Sequence, residues 1–213
     1  MRDVNARVVI LANGECPRQA EAVAVFHQAA HLVCCDGACA KARALGREPD
    51  LVVGDGDSLS AAEKAALGAR FVAVAEQETN DLAKAFRVAV ARYGADGLVI
   101  LGADGLRDDH FLGNVFRLPE FAAAAPEVAL VTNAGVFTVV AGTRTYACEA
   151  GEAVSVFAPL PQTEVMSTGL VWPLSGVVFD TLWRGTLNRT NATSFTLTAT
   201  CPILVYRPHP SPV

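Results

Sequence analysis

Five short apolar runs, Val8 to Ala12, Leu32 to Cys35, Leu51 to Val53, Phe71 to Ala75 and Leu98 to Leu101, alternate with alanine-rich segments of helical spacing. A sixth run, Val128 to Val131, closes the series. Strands that are apolar on both faces must be covered on both faces, and strands that alternate with helices pair in parallel through right-handed crossovers. The pattern predicts an α/β domain over residues 1–132, a doubly wound, mostly parallel sheet with helices on both faces. Two helices are readable individually. Ser60-Ala61-Ala62-Glu63 has the spacing of a capping box, and Asn80 or Thr79 can cap a helix that runs through Tyr93 and stops at Gly94.

After Asn133 the texture changes to β-branched residues, Gly and Pro in short segments such as Val136 to Val140, Ala153 to Phe157 and Phe195 to Thr200. This predicts a C-terminal all-β sandwich domain over residues 133–213, ending in a frayed proline-rich tail from Pro208 to Val213. The length of 213 residues suits two modest domains, and 52% hydrophobic against 18% charged residues excludes a disordered or fibrous chain.

The net charge is −5 and no two Lys or Arg residues are adjacent, so the chain carries no electrostatic footprint for nucleic acid. An anionic substrate would therefore need local help from a metal or a few placed arginines. No apolar stretch reaches the roughly 18 residues of a membrane span, and the opening Met1-Arg2-Asp3-Val4-Asn5 has no signal-peptide pattern, so a cytoplasmic location is expected. The six cysteines include no Cys-x-x-Cys pair, and Cys34, Cys35 and Cys201 sit in apolar runs where free thiols act as small hydrophobes.

In an open parallel sheet the ligand crevice lies at the carboxyl ends of the strands, so the residues after each run carry the functional information. Here they are Asn13-Gly14, Asp36-Gly37-Ala38, Gly54-Asp55-Gly56-Asp57-Ser58, Gln77 to Asp81, and Gly102 to His110. Asp36, Asp55, Asp57 and Asp81 should converge on one edge, where carboxylates without cations repel and a hard divalent ion such as Mg²⁺, completed by phosphate oxygens, resolves the conflict. A turn or helix cap could use one Asp, but it does not require paired acids. Gly102 to Gly105, then Arg107, gives a flexible loop, a cationic fork and a helix start, all favourable to phosphate. His110 and Asn114 are four apart and share one helix face. Lys84 and Arg87 follow Asp81 at three and six residues; Arg87 reads as surface charge balance, whereas Lys84 is open to either role. The chain has neither a Gly-x-x-x-x-Gly-Lys-Ser/Thr loop nor a protein-kinase catalytic loop.

These loops, in this order, resemble thiamine pyrophosphokinase. The resemblance rests on Asp36-Gly37-Ala38, Pro49-Asp50, Gly54 to Ser58, Asn80-Asp81 with Lys84-Ala85, and Gly102 to His110 with Asn114. It continues past the first domain in Thr168-Gly169-Leu170-Val171-Trp172-Pro173-Leu174, and so covers nearly the whole chain. Leu106 departs from the pattern where glycine or a basic residue is common, and Leu187-Asn188 stands where Ser-Asn is expected.

The resemblance implies transfer of a pyrophosphoryl group from ATP to the hydroxyl of thiamine, giving thiamine diphosphate and AMP. It implies Mg²⁺ on Asp55, Asp57 and Asp81, catalytic roles for Asp36, Asp57, Asp81 and Arg107, and nucleotide or phosphate contacts from Asn13, Gly37, Gly102, Arg107, Asp109, His110 and Asn114. Thiamine would meet Gln77, Asn80, Trp172 and Asn188, with Trp172 as a stacking platform for its cationic rings. It further implies a homodimer whose site is shared between subunits. The carboxylates alone also accommodate a metal-dependent nucleotide phosphohydrolase, or a non-enzymatic thiamine or nucleotide sensor.

Overall fold

The computed structural model describes residues 6–210. They form two compact units, one of residues 6–115 with 130–133 and the other of residues 116–129 with 134–210.

In the first unit β1 (Val8–Leu11), β2 (His31–Cys35), β3 (Leu51–Gly54), β4 (Phe71–Ala73) and β5 (Leu98–Leu101) lie in the order β5-β1-β2-β3-β4, with every pair parallel. β6 (Ala129–Val131) follows β5 in that order. Consecutive residues of β1, β3 and β5 are all buried, so both faces of these strands are covered, as their uninterrupted apolar runs require. Each fully buried Val, Leu or Ile there contributes about 1.5–3 kcal/mol. At the edge, β4 is partly exposed and stops at Ala73, two residues short of its apolar run.

Helices α1 (Ala20–Gln28), α2 (Cys39–Ala44), α3 (Ala61–Leu67), α4 (Asp81–Tyr93) and α5 (Asp108–Ala124) connect the strands. α3 opens with the expected capping box: the Glu63 amide donates to Ser60 Oγ at 3.2 Å and the Ser60 amide donates to Glu63 Oε2 at 2.8 Å. Asn80 caps α4, its Oδ1 accepting from the Ala83 amide at 3.0 Å. The helix stops at Gly94, whose φ of +88° suits a residue without a side chain. α4 packs across β1, β2 and β3 and buries Leu82, Ala83, Ala85, Phe86 and Ala89. The chain builds β1 to β4 outward in one direction and then returns to place β5 on the other side of β1. The strand order thus reverses between β1 and β5, which opens a crevice at their carboxyl ends.

The second unit contains β7 (Gly135–Ala147), β8 (Ala153–Phe157), β9 (Val165–Thr168), β10 (Gly185–Arg189) and β11 (Ser194–Pro208), all antiparallel. A register shift between Ala199 and Ile203 divides β11; its first half pairs with β9 and its second with β8. Such a shift bends a strand and lets it serve two layers. Phe195, Leu197 and Ala199 from one half and Ile203 and Val205 from the other enter a common core with Tyr146, Val154, Val156 and Phe179. Pro208 pairs with Gly135 as the last residue of β11, so the tail begins later than the sequence suggests. Residues 211–213 of the expected frayed tail lie outside the described residues.

All six cysteines are free, and burial pushes the thiols of Cys34 and Cys35 well above the ordinary range, as befits core hydrophobes. Among the described residues no helix is long and apolar enough to cross a membrane.

Candidate active site

At the carboxyl ends of the strands of the first unit, next to the switch between β1 and β5, lies a cavity of about 490 Å³. Ala12 to Gly14 after β1, Asp55 after β3, the segment from Gln77 to Lys84, and Gly102 to Arg107 with His110 and Asn114 contribute to its walls. The size matches the range of small-molecule sites.

Asp36 does not open onto this cavity. It is buried at 4% exposure in a 3₁₀ turn after β2, where Oδ1 accepts from the Gly37 amide at 2.6 Å and Oδ2 from the Gly56 amide at 3.0 Å. Gly54 must lack a side chain, because a Cβ there would stand 2.9 Å from Asp36 Cγ. Asp36 therefore shapes the Gly54 to Asp57 loop, and Gly37 sits against the Asn13 side chain.

That loop delivers Asp55 to the cavity but turns Asp57 away from it. The Asp57 amide donates to Asp55 Oδ1 at 3.1 Å and Gln77 Nε2 donates to Oδ2 at 3.3 Å, and these two bonds lower the Asp55 carboxyl below its ordinary value. Asp81 opens α4 and also faces the cavity. Burial pushes its carboxyl up, Asp36 and then Asp55 add to the rise, and Lys84 opposes it. Lys84 is the residue that the sequence leaves undecided: it is only 2% exposed, lines the cavity, and donates from Nζ to Asp81 Oδ1 at 3.4 Å. A buried ammonium requires a charged or strongly polar partner, and here that partner is a carboxylate of the site. Its signals in the sequence are its spacing from Asp81 inside the apolar stretch Leu82 to Phe86 and the place of Lys84-Ala85 in the resemblance.

The segment that carries Gln77, Asn80 and Asp81 is held by Glu76. Its carboxylate accepts from the Thr79 hydroxyl and amide, the Glu78 amide and Arg87 Nη2, and these bonds draw it down to about 2. Arg87 is thus specifically paired and also reaches Thr79 Oγ1 at 3.0 Å, where the sequence suggests diffuse charge balance. Asn80 Nδ2 donates to Asn114 Oδ1 at 2.9 Å, and Asn114 Nδ2 donates to the Ala103 carbonyl at 3.4 Å. Asn80 and Asn114 therefore tie α4, α5 and the loop after β5 together.

In that loop Gly102 has φ of +66°, and a Cβ would stand 2.8 Å from the Ala12 carbonyl oxygen, so both conformation and space demand glycine. Arg107 lines the cavity while its guanidinium makes a bidentate pair with Asp109, at 3.0 Å and 2.5 Å, which draws the Asp109 carboxyl down to about 2. Asp109 lies outside the lining and orients Arg107, whereas His110 and Leu106 line the rim. Asp104, which the sequence pattern does not single out, also faces the cavity; burial raises its carboxyl.

In the second unit Trp172 is 57% exposed, so it is not a core residue. Asn188 is buried and holds the Trp172 backbone from both sides, accepting from its amide at 3.2 Å and donating to its carbonyl at 2.7 Å. Asn188 thereby fixes the backbone of the Trp172 segment. Leu187 beside it is exposed with φ of +59°.

Among the described residues no three His, Cys, Asp or Glu side chains stand close enough to hold a metal ion by themselves. Mg²⁺ is commonly bound by one or two carboxylates with substrate phosphates and water completing its shell. Asp55 and Asp81, facing one cavity and repelling one another, fit that donor set.

Two family models match the chain: residues 23–130 match "Thiamin pyrophosphokinase, catalytic domain" and residues 135–206 match "Thiamin pyrophosphokinase, substrate-binding domain". Among solved structures, a thiamin pyrophosphokinase family protein from Enterococcus faecalis superposes with a TM-score of 0.79 at 20% identity, covering 97% of this chain and 100% of its own. Thiamin pyrophosphokinase from Geobacillus thermodenitrificans gives 0.73 at 25% identity, covering 96% and 98%. The yeast enzyme gives 0.70 at 14% identity, covering 97% and 86%. No curated protein matches the chain in sequence.

Proposed function

The chain belongs to the thiamin pyrophosphokinase family, and from that membership we propose that it transfers the pyrophosphoryl group of ATP to the hydroxyl of thiamine in the cavity at the β1/β5 switch. The observation that carries this reading is the meeting of Asp55, Asp81, Lys84 and Arg107 in one cavity: two carboxylates for a metal and two cations for phosphate oxygens. In the reaction the thiamine oxygen bonds to the β-phosphorus and its proton is released to water, the bond from that phosphorus to the oxygen bridging it to the α-phosphorus breaks, and AMP leaves. Residues 1–132 act as the ATP and Mg²⁺ domain, and residues 133–213 as the thiamine-binding domain.

Transfers of this kind depend on positioning and charge stabilisation more than on covalent chemistry. Mg²⁺, when held by Asp55 and Asp81, offsets the charge of the phosphate oxygens. Lys84 places a fixed cation at the buried end of the cavity, and Arg107, oriented by Asp109, offers a planar fork at the rim. Asn13, His110 and the Gly102 loop supply polar groups along the nucleotide. Gln77 holds Asp55, and Asn80 with Asn114 ties the start of α4 to α5. Both oxygens of Asp36 are engaged by backbone amides, so we assign it to positioning and not to proton transfer.

We assign Trp172 as the aromatic platform for thiamine, supported by its exposure and by the Asn188 clamp on its backbone. Trp172→Ala should raise the KM for thiamine by roughly 2- to 30-fold, the range of aromatic and cation–π contacts, and leave the KM for ATP unchanged. Equal effects on both substrates, measured by steady-state kinetics, would remove Trp172 from the site. A cytoplasmic location and a homodimer complete the reading, the homodimer supported by the exposed Trp172, Trp183 and Leu187 of the second unit.

The test of the function is AMP release measured with ATP and Mg²⁺ in the presence and absence of thiamine. Release that requires thiamine supports the transferase; phosphate release without it supports a hydrolase instead.

A further inference from the structure

We propose that Asn133, at the carboxyl end of β6 and outside the cavity lining, is a positioning residue that clasps the two loops forming the nucleotide side of the cavity. The proposal rests on the reading of that cavity as an ATP site. The Asn133 side chain is used on both of its polar atoms: Oδ1 accepts from the Arg18 amide at 2.7 Å, while Nδ2 donates to Glu15 Oε2 at 3.3 Å and to the Cys16 carbonyl at 3.1 Å. Its backbone is engaged as well, the amide donating to Asp104 Oδ2 at 3.4 Å and the carbonyl accepting from Gln19 Nε2 at 3.2 Å. One residue thus touches four positions of the loop after β1 and one of the loop after β5.

Those loops are the ones that meet at the cavity. The Gly14 amide donates to the Gly102 carbonyl at 2.6 Å and the Glu15 amide to the Asp104 carbonyl at 2.7 Å, so the two backbones are joined directly. Gly14, Gly102 and Asp104 line the cavity, whereas Glu15 to Gln19, which Asn133 holds from behind, do not. Arg18 closes the arrangement with an ion pair to Glu15 at 2.8 Å. The chemistry selects an amide at this position. A carboxylate could accept from Arg18 but could not donate to Glu15 or Cys16, and it would add a third negative charge beside Glu15 and Asp104. An apolar residue would satisfy none of the three partners. Catalytic geometry tolerates little displacement, so slack in these loops should reach bound phosphates although Asn133 never touches them.

The experiment is calorimetric titration of ATP with Mg²⁺ into wild-type protein, Asn133→Asp, and the double variant Asn133→Asp with Glu15→Gln, so that affinity is read without turnover. Asn133→Asp should weaken ATP binding by about tenfold, the scale of losing two partly buried hydrogen bonds and gaining repulsion. In the double variant the side-chain amide introduced at position 15 donates to the carboxylate introduced at position 133, which reverses the polarity of the bond and removes one charge, and most of the lost affinity should return. Asn133→Ser, smaller and uncharged, serves in the same titration should Asn133→Asp not fold, and should also weaken ATP binding. Equal affinity in wild type and the single variant, or a lowered melting temperature with unchanged affinity, overturns the clasp while leaving the ATP site standing. A wild-type chain that binds no ATP overturns the site and the clasp together.

Discussion

Asp81→Asn should lower kcat/KM by about 10²-fold or more while the protein stays folded, because disturbing a metal-binding group usually costs on that scale. The substitution preserves shape, and its remaining oxygen can still accept from Lys84 Nζ, which stands 3.4 Å from Asp81 Oδ1. What it removes is charge. Burial, Asp36 and Asp55 already push the Asp81 carboxyl up, so neutralising it relieves repulsion that offsets part of the cost of leaving the buried Lys84 with a neutral partner. The deficit should fall on the metal: the concentration of Mg²⁺ needed for half-maximal rate should rise along with the loss of rate. Kinetics at varied Mg²⁺, with a thermal melt to verify folding, check both parts. Retention of more than about a tenth of wild-type activity would contradict the assignment.

Lys84→Met should be as damaging, with kcat/KM falling by about 10²- to 10³-fold, the range seen when a fixed stabilising donor is removed from a reacting site. Methionine fills similar volume, so the effect isolates the ammonium. Without it, Asp81 keeps Asp36 and Asp55 as neighbours and loses its paired cation. Lys84→Arg should not restore activity, since a planar guanidinium needs more room than a side chain that is 2% exposed at a cavity wall can give it. Activity within about threefold of wild type in the Met variant would show that Lys84 only balances Asp81.

The sheet was legible in the sequence because coverage on both faces forces continuous apolar runs, and β1, β3 and β5 follow those runs closely. The helix starts at Ser60 and Asn80 were legible because capping chemistry is local. The site was legible in outline for a related reason: strand ends in an open sheet converge, so the polar residues after each run meet. Which atom of each residue does the work was not. Asp36 and Asp57 share their neighbours' acidic pattern, yet one is engaged with amides of its own and a neighbouring loop and the other is exposed outside the cavity lining. Lys84 looks like an ordinary helix charge until α4 packs on the sheet and buries it. Asn188 and Trp172 show the reverse problem, the polar residue turning inward and the aromatic one outward. Asn133 gave no signal, because the partners of its side chain lie more than a hundred residues away in the chain.

The fate of the β-phosphorus tests the central claim most directly. With ATP labelled at the α-phosphorus, all label should appear in AMP; with ATP labelled at the β-phosphorus, all label should appear in thiamine diphosphate, in equal amount and only when thiamine is present. Label from the β-position recovered in ADP, in free phosphate or in pyrophosphate, with thiamine unmodified, would contradict pyrophosphoryl transfer at this site.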